Sequence, residues 1–281
     1  MNFSVSTASL MHLPLDQVFS IARSVHFDGV ELAVTWEVSL RGARHIQKLI
    51  ERYQLPVMSV HQPMLALPGW RDMRARMVRS VQLARELGAP IVVVHPPPAA
   101  TIGDGIAQQY LLALEACRRE LGDGVKLAIE NPSPLRKGRL GRIRAFDDPN
   151  DLRRFAEEQE LPVTLDTSHA ALTSGGLMPT YELLKERLVN IHLSDLMARR
   201  LIWPFDFLHT YLVQHQIPGA GVLPLDELLE ALSRRGYDGL VTLEISPLAL
   251  QAWSIDRARQ GLARGLGYCR RHAMVTERPA G

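Results

Sequence analysis

The chain is poor in cysteine, with two among 281 residues, Cys117 and Cys269, far apart and each inside a predicted helix. That spacing argues against a disulfide framework and points to a reducing, cytoplasmic location, with both thiols as small buried hydrophobes. Long apolar runs are missing as well. None approaches the ~20 residues that cross a bilayer, so no membrane partner is expected. The opening Met1-Asn2-Phe3-Ser4-Val5-Ser6 has no basic region followed by an apolar stretch, and it reads as a first strand, not a secretory signal. Neither sign of charge dominates. A formal net charge of +2 does not announce nucleic acid, so any anion binding has to be local. No G-x-G-x-x-G or G-x-x-x-x-G-K-[ST] pattern follows any strand-like run, which removes the main support for a nucleotide-binding fold.

What is present is a repeat of short apolar runs. Eight occur: Phe3–Ser6, Gly29–Leu32, Val57–His61, Ile91–His95, Leu127–Glu130, Val163–Asp166, Val189–His192 and Val241–Glu244. Between them lie segments with helical spacing of apolar residues: Leu15–Val25, Arg44–Tyr53, Asp72–Leu87, Ile106–Leu121, a helix opened by Asp147-Asp148-Pro149 and running to about Gln159, Gly176–Glu186, Asp226–Arg235 and Ile255–Arg271. Near-continuous Val/Ile/Leu runs imply strands covered on both faces, hence parallel pairing through helical crossovers. The length is close to the roughly 250 residues of a (β/α)8 TIM barrel. The expectation is therefore an α/β chain folded as one such barrel over residues 1–281, with 273–281 as a frayed tail.

Most of these runs end in a residue that can hold a metal ion. In a parallel barrel the C-terminal strand ends share one face, so ligands distant in sequence converge there. Glu130-Asn131-Pro132 closes one strand and Asp166-Thr167-Ser168-His169 the next; with His192 and Glu244 they supply a mixed nitrogen and oxygen set suited to Mn2+, Zn2+, Co2+, Fe2+ or Mg2+. Each residue alone could merely bond the loop backbone. All four at strand ends favour one or two shared ions, with Glu130, Asp166, His192 and Glu244 as the first set. His61 and His95 end two further strands and could also ligate an ion.

Substrate contacts are expected from His169, His215, Glu31, Arg136 and Arg199. Arg136 belongs to a basic stretch with Lys137, Arg139, Arg142 and Arg144, whose guanidinium groups suit a phosphate or carboxylate and equally a nucleic-acid backbone or open solvent. Glu31 could touch substrate or orient a neighbouring ligand. Trp36, Trp70 and Trp203 sit near strand-to-helix loops, as packing residues or as an apolar wall beside a sugar ring.

The motifs Ile129-Glu130-Asn131, Leu165-Asp166-Thr167-Ser168-His169, Ile191-His192-Leu193-Ser194-Asp195, Pro218-Gly219-Ala220-Gly221 and Leu243-Glu244 resemble those of the xylose isomerase-like TIM-barrel superfamily, over nearly the whole chain. That superfamily includes sugar-phosphate isomerases, tagatose-type 3-epimerases and endonuclease IV-type apurinic endonucleases. The resemblance implies a divalent metal held by Glu130, Asp166, His192 and Glu244, with the two glutamates also serving as an acid/base pair. The endonuclease pattern adds His61 and His95 around a second metal bridged by Glu130; the alternatives are that the pair bonds a sugar hydroxyl or is simply buried and hydrogen-bonded. The same pattern also adds a third ion held by a histidine matching His169 and by an Asp-x-His pair, whose counterpart here is Val213-Gln214-His215. Valine cannot coordinate, which argues against the complete nuclease cluster.

The expected function is thus a metal-dependent isomerase or epimerase of a sugar, sugar phosphate or related polyol, working by proton transfer through an enediolate. Phosphodiester cleavage at abasic DNA is the alternative, and a polyol- or metal-binding barrel without turnover a third reading. Oligomeric state is not written in these patterns, although barrels of this kind often associate as homo-oligomers.

Overall fold

The structure, a computed structural model, describes residues 1–64, 66–97, 103, 105–133, 146–198 and 212–273. Eight strands close into a barrel in chain order: β1 Asn2–Ser6, β2 Gly29–Ala33, β3 Val57–His61, β4 Ile91–Val94, β5 Lys126–Glu130, β6 Val163–Asp166, β7 Leu188–Leu193 and β8 Leu240–Leu243. Every neighbouring pair is parallel, and closure runs from Asn2 opposite Leu240 to Val5 opposite Leu243. His95 and Glu244 stand one residue beyond their strands and not within them.

Helices α1 Leu15–Val25, α2 Trp36–Tyr53, α3 Met73–Leu87, α4 Gly105–Glu120, α5 Pro149–Glu158, α6 Thr167–Ala170, α7 Leu177–Leu184, α8 Leu225–Arg234 and α9 Ile255–Ala273 separate or follow the strands. Among the described residues no helix is long and apolar enough to cross a membrane. The caps follow local chemistry: Asp72 accepts from the Ala75 amide, and Asp148 accepts from the Asn150 amide with Pro149 in the first turn. Gly88, left-handed at φ 69°, ends α3. Two helical features depart from expectation. Helix α2 begins at Trp36 and not near Arg44; the break at Gly42, with φ 66° and ψ −177°, separates its first turns from the strongly amphipathic remainder. The short α6 is new, and its cap is Asp166. The tail expected to fray lies, beyond Ala273, outside the described residues.

Buried apolar side chains pack the helices onto the outer face of the barrel in one contiguous core, into which Trp70 and the unpaired Cys117 and Cys269 are folded. Inside the barrel, Ile91, Val93, Ala128 and Leu240 fill the floor. Above them lies a polar layer. The Ser4 and Thr242 hydroxyls are 2.8 Å apart, Thr242 donates to Asn190 at 3.0 Å, and Ser59 donates to Glu31 at 2.8 Å. The mouth follows one pleat higher.

Candidate metal centre at the barrel mouth

Alternate residues of a strand face the same side, so the inward positions two residues above the polar layer all reach the mouth. Barrel closure brings Glu130, Asp166, His192 and Glu244 together, with one candidate ligand atom from each within 4.8 Å of all the others. The Nδ1 of His192 lies 2.8 Å from Glu244 and 3.4 Å from Glu130. The first three are almost wholly shielded from solvent; Glu244 is partly open. His61, His95 and Glu130 form a second such group: the His95 Nε2 is 3.1 Å from both the Glu130 carboxylate and the His61 Nε2. Asp166, His169 and His215 form a third. The three groups share Glu130 and Asp166.

For Glu31 the expectation has two alternatives, a substrate contact or a residue that orients a neighbouring ligand. Glu31 is 0% exposed and sits beneath the mouth, where its Oε2 accepts from Ser59 and lies 3.0 Å from His192 Nε2. A neutral His192 that donates its Nε2 proton to Glu31 turns the Nδ1 lone pair toward Glu130 and Glu244, as a ligating imidazole requires. Glu31 thus meets the His192 ring and not the open mouth, because β2 places it one pleat below the strand ends. His169 and His215 do reach the mouth, with ring centroids 5.4 Å apart. The His215 backbone is left-handed at φ 52°, and its Nδ1 is 3.9 Å from Asp166. Arg136, Arg199 and the rest of the basic stretch, along with Trp203, lie outside the described residues.

Sequence reasoning did not assign roles to the residues that hold these ligands in place. The Asn131 Oδ1 accepts from the Asp166 amide at 2.6 Å, while its Nδ2 donates to the Asp166 carbonyl at 3.1 Å, clamping β5 to β6. Ser168 Oγ and the His169 amide both donate to Asp166 Oδ1, at 2.9 and 2.8 Å. Their adjacency to ligands within the same motif was the available signal. The Ser194-Asp195 and Pro218–Gly221 motifs are explained together: the Asp195 carboxylate accepts from the amides of Leu196, Gly219, Gly221 and Leu223. A side chain at Gly221 would collide with Asp195 and the Leu196 carbonyl, and Gly219 has φ 82°. This knot anchors the loop that carries His215.

Electrostatically the mouth is a buried concentration of carboxylates. Burial alone would raise the Glu130 and Glu244 acids, but His192 holds both down, Glu130 with the help of His95 and Glu244, at about 2, with the help of His215. Burial opposes protons on the histidines, and the carboxylates outweigh it. Glu130 lifts His61 to about 9, Asp166 lifts His169, and Glu31 with Glu244 lifts His192 well above the ordinary range. In this form, protons balance the carboxylates. Within the four-residue group, two fully buried atoms make no hydrogen bond: Asp166 Oδ2, and His192 Nδ1, which faces the Glu244 carboxylate at 2.8 Å. Both are atoms that a cation would occupy. The mixed nitrogen and oxygen set fits a first-row divalent ion.

Comparison with known proteins follows this geometry. Residues 19–270 match a family described as xylose isomerase-like TIM barrel. An uncharacterized protein of Mycobacterium tuberculosis is 31% identical over 290 residues, covering 96% of this chain and 97% of its own. Fructoselysine 3-epimerase of Escherichia coli O157:H7 is 22% identical over 285 residues, covering 94% and 97%. Among solved structures, D-psicose 3-epimerase from Clostridium cellulolyticum, with D-tagatose, superposes with a TM-score of 0.69 at 14% identity, covering 97% and 99%.

Proposed function

Because this chain belongs to the xylose isomerase-like TIM-barrel family, we propose that it is a divalent-metal-dependent isomerase or epimerase of a sugar or related polyol, acting in the cytoplasm. Epimerase relatives of low identity agree with this reading. The observation that carries it is the placement of the two glutamates. They meet in one ligand group, yet Glu244 borders one cleft with His61 and Glu130 borders another with His95 and His169.

Glu130, Asp166, His192 and Glu244 would hold the cation, with Asn131, Ser168 and Glu31 fixing their orientation. The cation would supply positive charge against the oxygen that becomes negative as a neighbouring carbon loses its proton. One glutamate would take that proton; in epimerisation the other would return a proton to the same carbon from the opposite face, and in isomerisation a proton would return to the neighbouring, former carbonyl carbon from the same face. Both carboxyls sit below the ordinary range and are ionised at neutral pH, as a base must be. His169, at the rim of the Glu130 cleft, holds a substrate oxygen. The test is Glu244→Gln: the protein should fold, yet solvent deuterium should no longer enter a bound ketose. Full exchange in that variant rules out the assignment.

A second reading, phosphodiester cleavage at abasic DNA, is favoured by the additional His61–His95–Glu130 and Asp166–His169–His215 groups. Against it stands Val213, a buried aliphatic side chain where that chemistry uses an aspartate. Metal analysis separates the two. One or two ions per chain fit sugar chemistry, and three with chelator-sensitive cleavage of an abasic duplex fit the nuclease.

A further inference from the structure

The two clefts that meet at the candidate centre differ in chemistry. The Glu130 cleft, about 500 Å3, mixes Arg76, His95, Asn131 and His169 with Met73, Tyr110 and several prolines. The Glu244 cleft is about 600 Å3 and runs outward between the β1–α1 and β2–α2 loops, walled by Met11, Leu13, Val34, Trp36, Leu40 and Met64. Apart from Thr35, Gln62 and the centre's own His61 and Glu244, its polar residues are already engaged within the protein. Thr7 accepts from the Ala33 amide, the His12 ring is 2.8 Å from the Ala252 carbonyl, and Glu37 accepts from the Leu15 amide. Arg41 lies 3.6 Å from the same Glu37. No unpaired cation lines this cleft among the described residues.

A hydroxyl-rich carbon chain laid against this wall would lose its hydrogen bonds to water and gain few in return, and a phosphate would find no free positive charge. The rim adds a second observation. Trp36 is 55% exposed and Leu40 74%, an apolar surface left open beside a buried charged centre. Space of this size suits a drug-sized apolar group.

We infer that the substrate is a sugar or polyol bearing an apolar substituent, aromatic or branched aliphatic, which occupies the Glu244 cleft while the hydroxyl-rich end lies in the Glu130 cleft. This rests on the proposed isomerase or epimerase reading and narrows it, since neither an unsubstituted sugar nor a sugar phosphate uses the larger cleft. Trp36, Leu40 and Met11 become specificity-determining residues, supplied by the start of α2 and the β1–α1 loop, away in sequence from the charged cluster's ligands.

The probes are the D-ketohexoses fructose, psicose, tagatose and sorbose, and the 1-O-benzyl and 6-O-benzyl ether of each. They are titrated calorimetrically into the protein as purified with Mn2+ present. At least one ether should bind about tenfold or more tightly than its parent ketose, the gain expected for burying part of a phenyl ring. In Trp36→Ala and, separately, Leu40→Asp, the ratio of ether to parent affinity should fall severalfold. Both positions are exposed, so neither change threatens the fold. If no ether binds more tightly than its parent, or if the ratio survives both substitutions, the inference is overturned. Solvent-deuterium exchange in the same samples keeps the two readings apart. A binding gain without exchange removes the isomerase reading alone, and exchange without a gain removes the substituent alone.

Discussion

The floor and the mouth of this barrel are built from the same inward-facing positions, one or two pleats apart, and they have opposite chemistry. On the strand leading to His95, the side chains below it are Ile91 and Val93; below Glu130 is Ala128; below Glu244 are Thr242 and then Leu240. The floor gains from dense apolar packing. The mouth collects carboxylates and imidazoles whose charges are held out of water, which costs stability unless protons or a cation balance them. The lesson is that the lower pleats are free to secure the fold because the reacting groups are confined to the last one, and substitutions should separate accordingly.

The largest effect is expected at the mouth. Glu244→Gln should lower the rate of proton exchange by about 10^2 to 10^4, the usual contribution of a positioned acid or base, while thermal unfolding changes little. Comparable losses in exchange and melting temperature would erase the contrast. At the floor, Ile91→Ala should cost about 2 to 4 kcal/mol in denaturant unfolding yet leave metal affinity within a few fold, since it removes packing only.

A pH series on the chelator-treated protein sharpens the comparison. His61 is raised from 6.5 to about 9 by its carboxylate neighbours. Its contribution to stability is therefore complete below pH 6.5 and is lost as pH climbs through about 9. Metal affinity should move the opposite way over that interval, because the ion and the protons compete for the same groups. A chelated protein whose unfolding free energy rises between pH 6.5 and 9 would contradict the charge balance described.

Between floor and mouth, Glu31→Gln should weaken metal binding by about 10- to 100-fold, as expected for a residue that orients a ligand, measured by competition with a chromophoric chelator. The smallest effect lies outside the barrel altogether. Asp148→Ala removes a helix cap and should cost about 1 kcal/mol without altering metal binding.

Legibility in sequence followed the range of the interaction. Strands were readable because burial on both faces writes itself as an apolar run. The starts of α3 and α5 were readable because Asp72 and Asp148 cap amides within three residues. The early start of α2 was not, since its first turns precede the Gly42 break and have little apolar stripe of their own. Nor was α6, a single turn held by an aspartate that also belongs to the charged cluster. Glu31 read equally as a substrate contact or as a residue that orients a ligand; its depth depends on where β2 stands in the stagger of the barrel, and no local pattern carries that.

The order of residues along the chain determined, without further help, that parallel strands alternate with helices and that carboxylates and imidazoles terminate many of them. Period-two burial and helix capping act over a few residues, so they survive in the linear record. Only closure of the barrel decided which of these groups meet: Glu31 and His192 are 161 positions apart, and His61 and Glu130 are 69 apart. It also decided how the two clefts beside them are lined, the Glu244 cleft by residues that follow β1, β2, β3 and β8 and the Glu130 cleft by residues that follow β3, β4, β5 and β6.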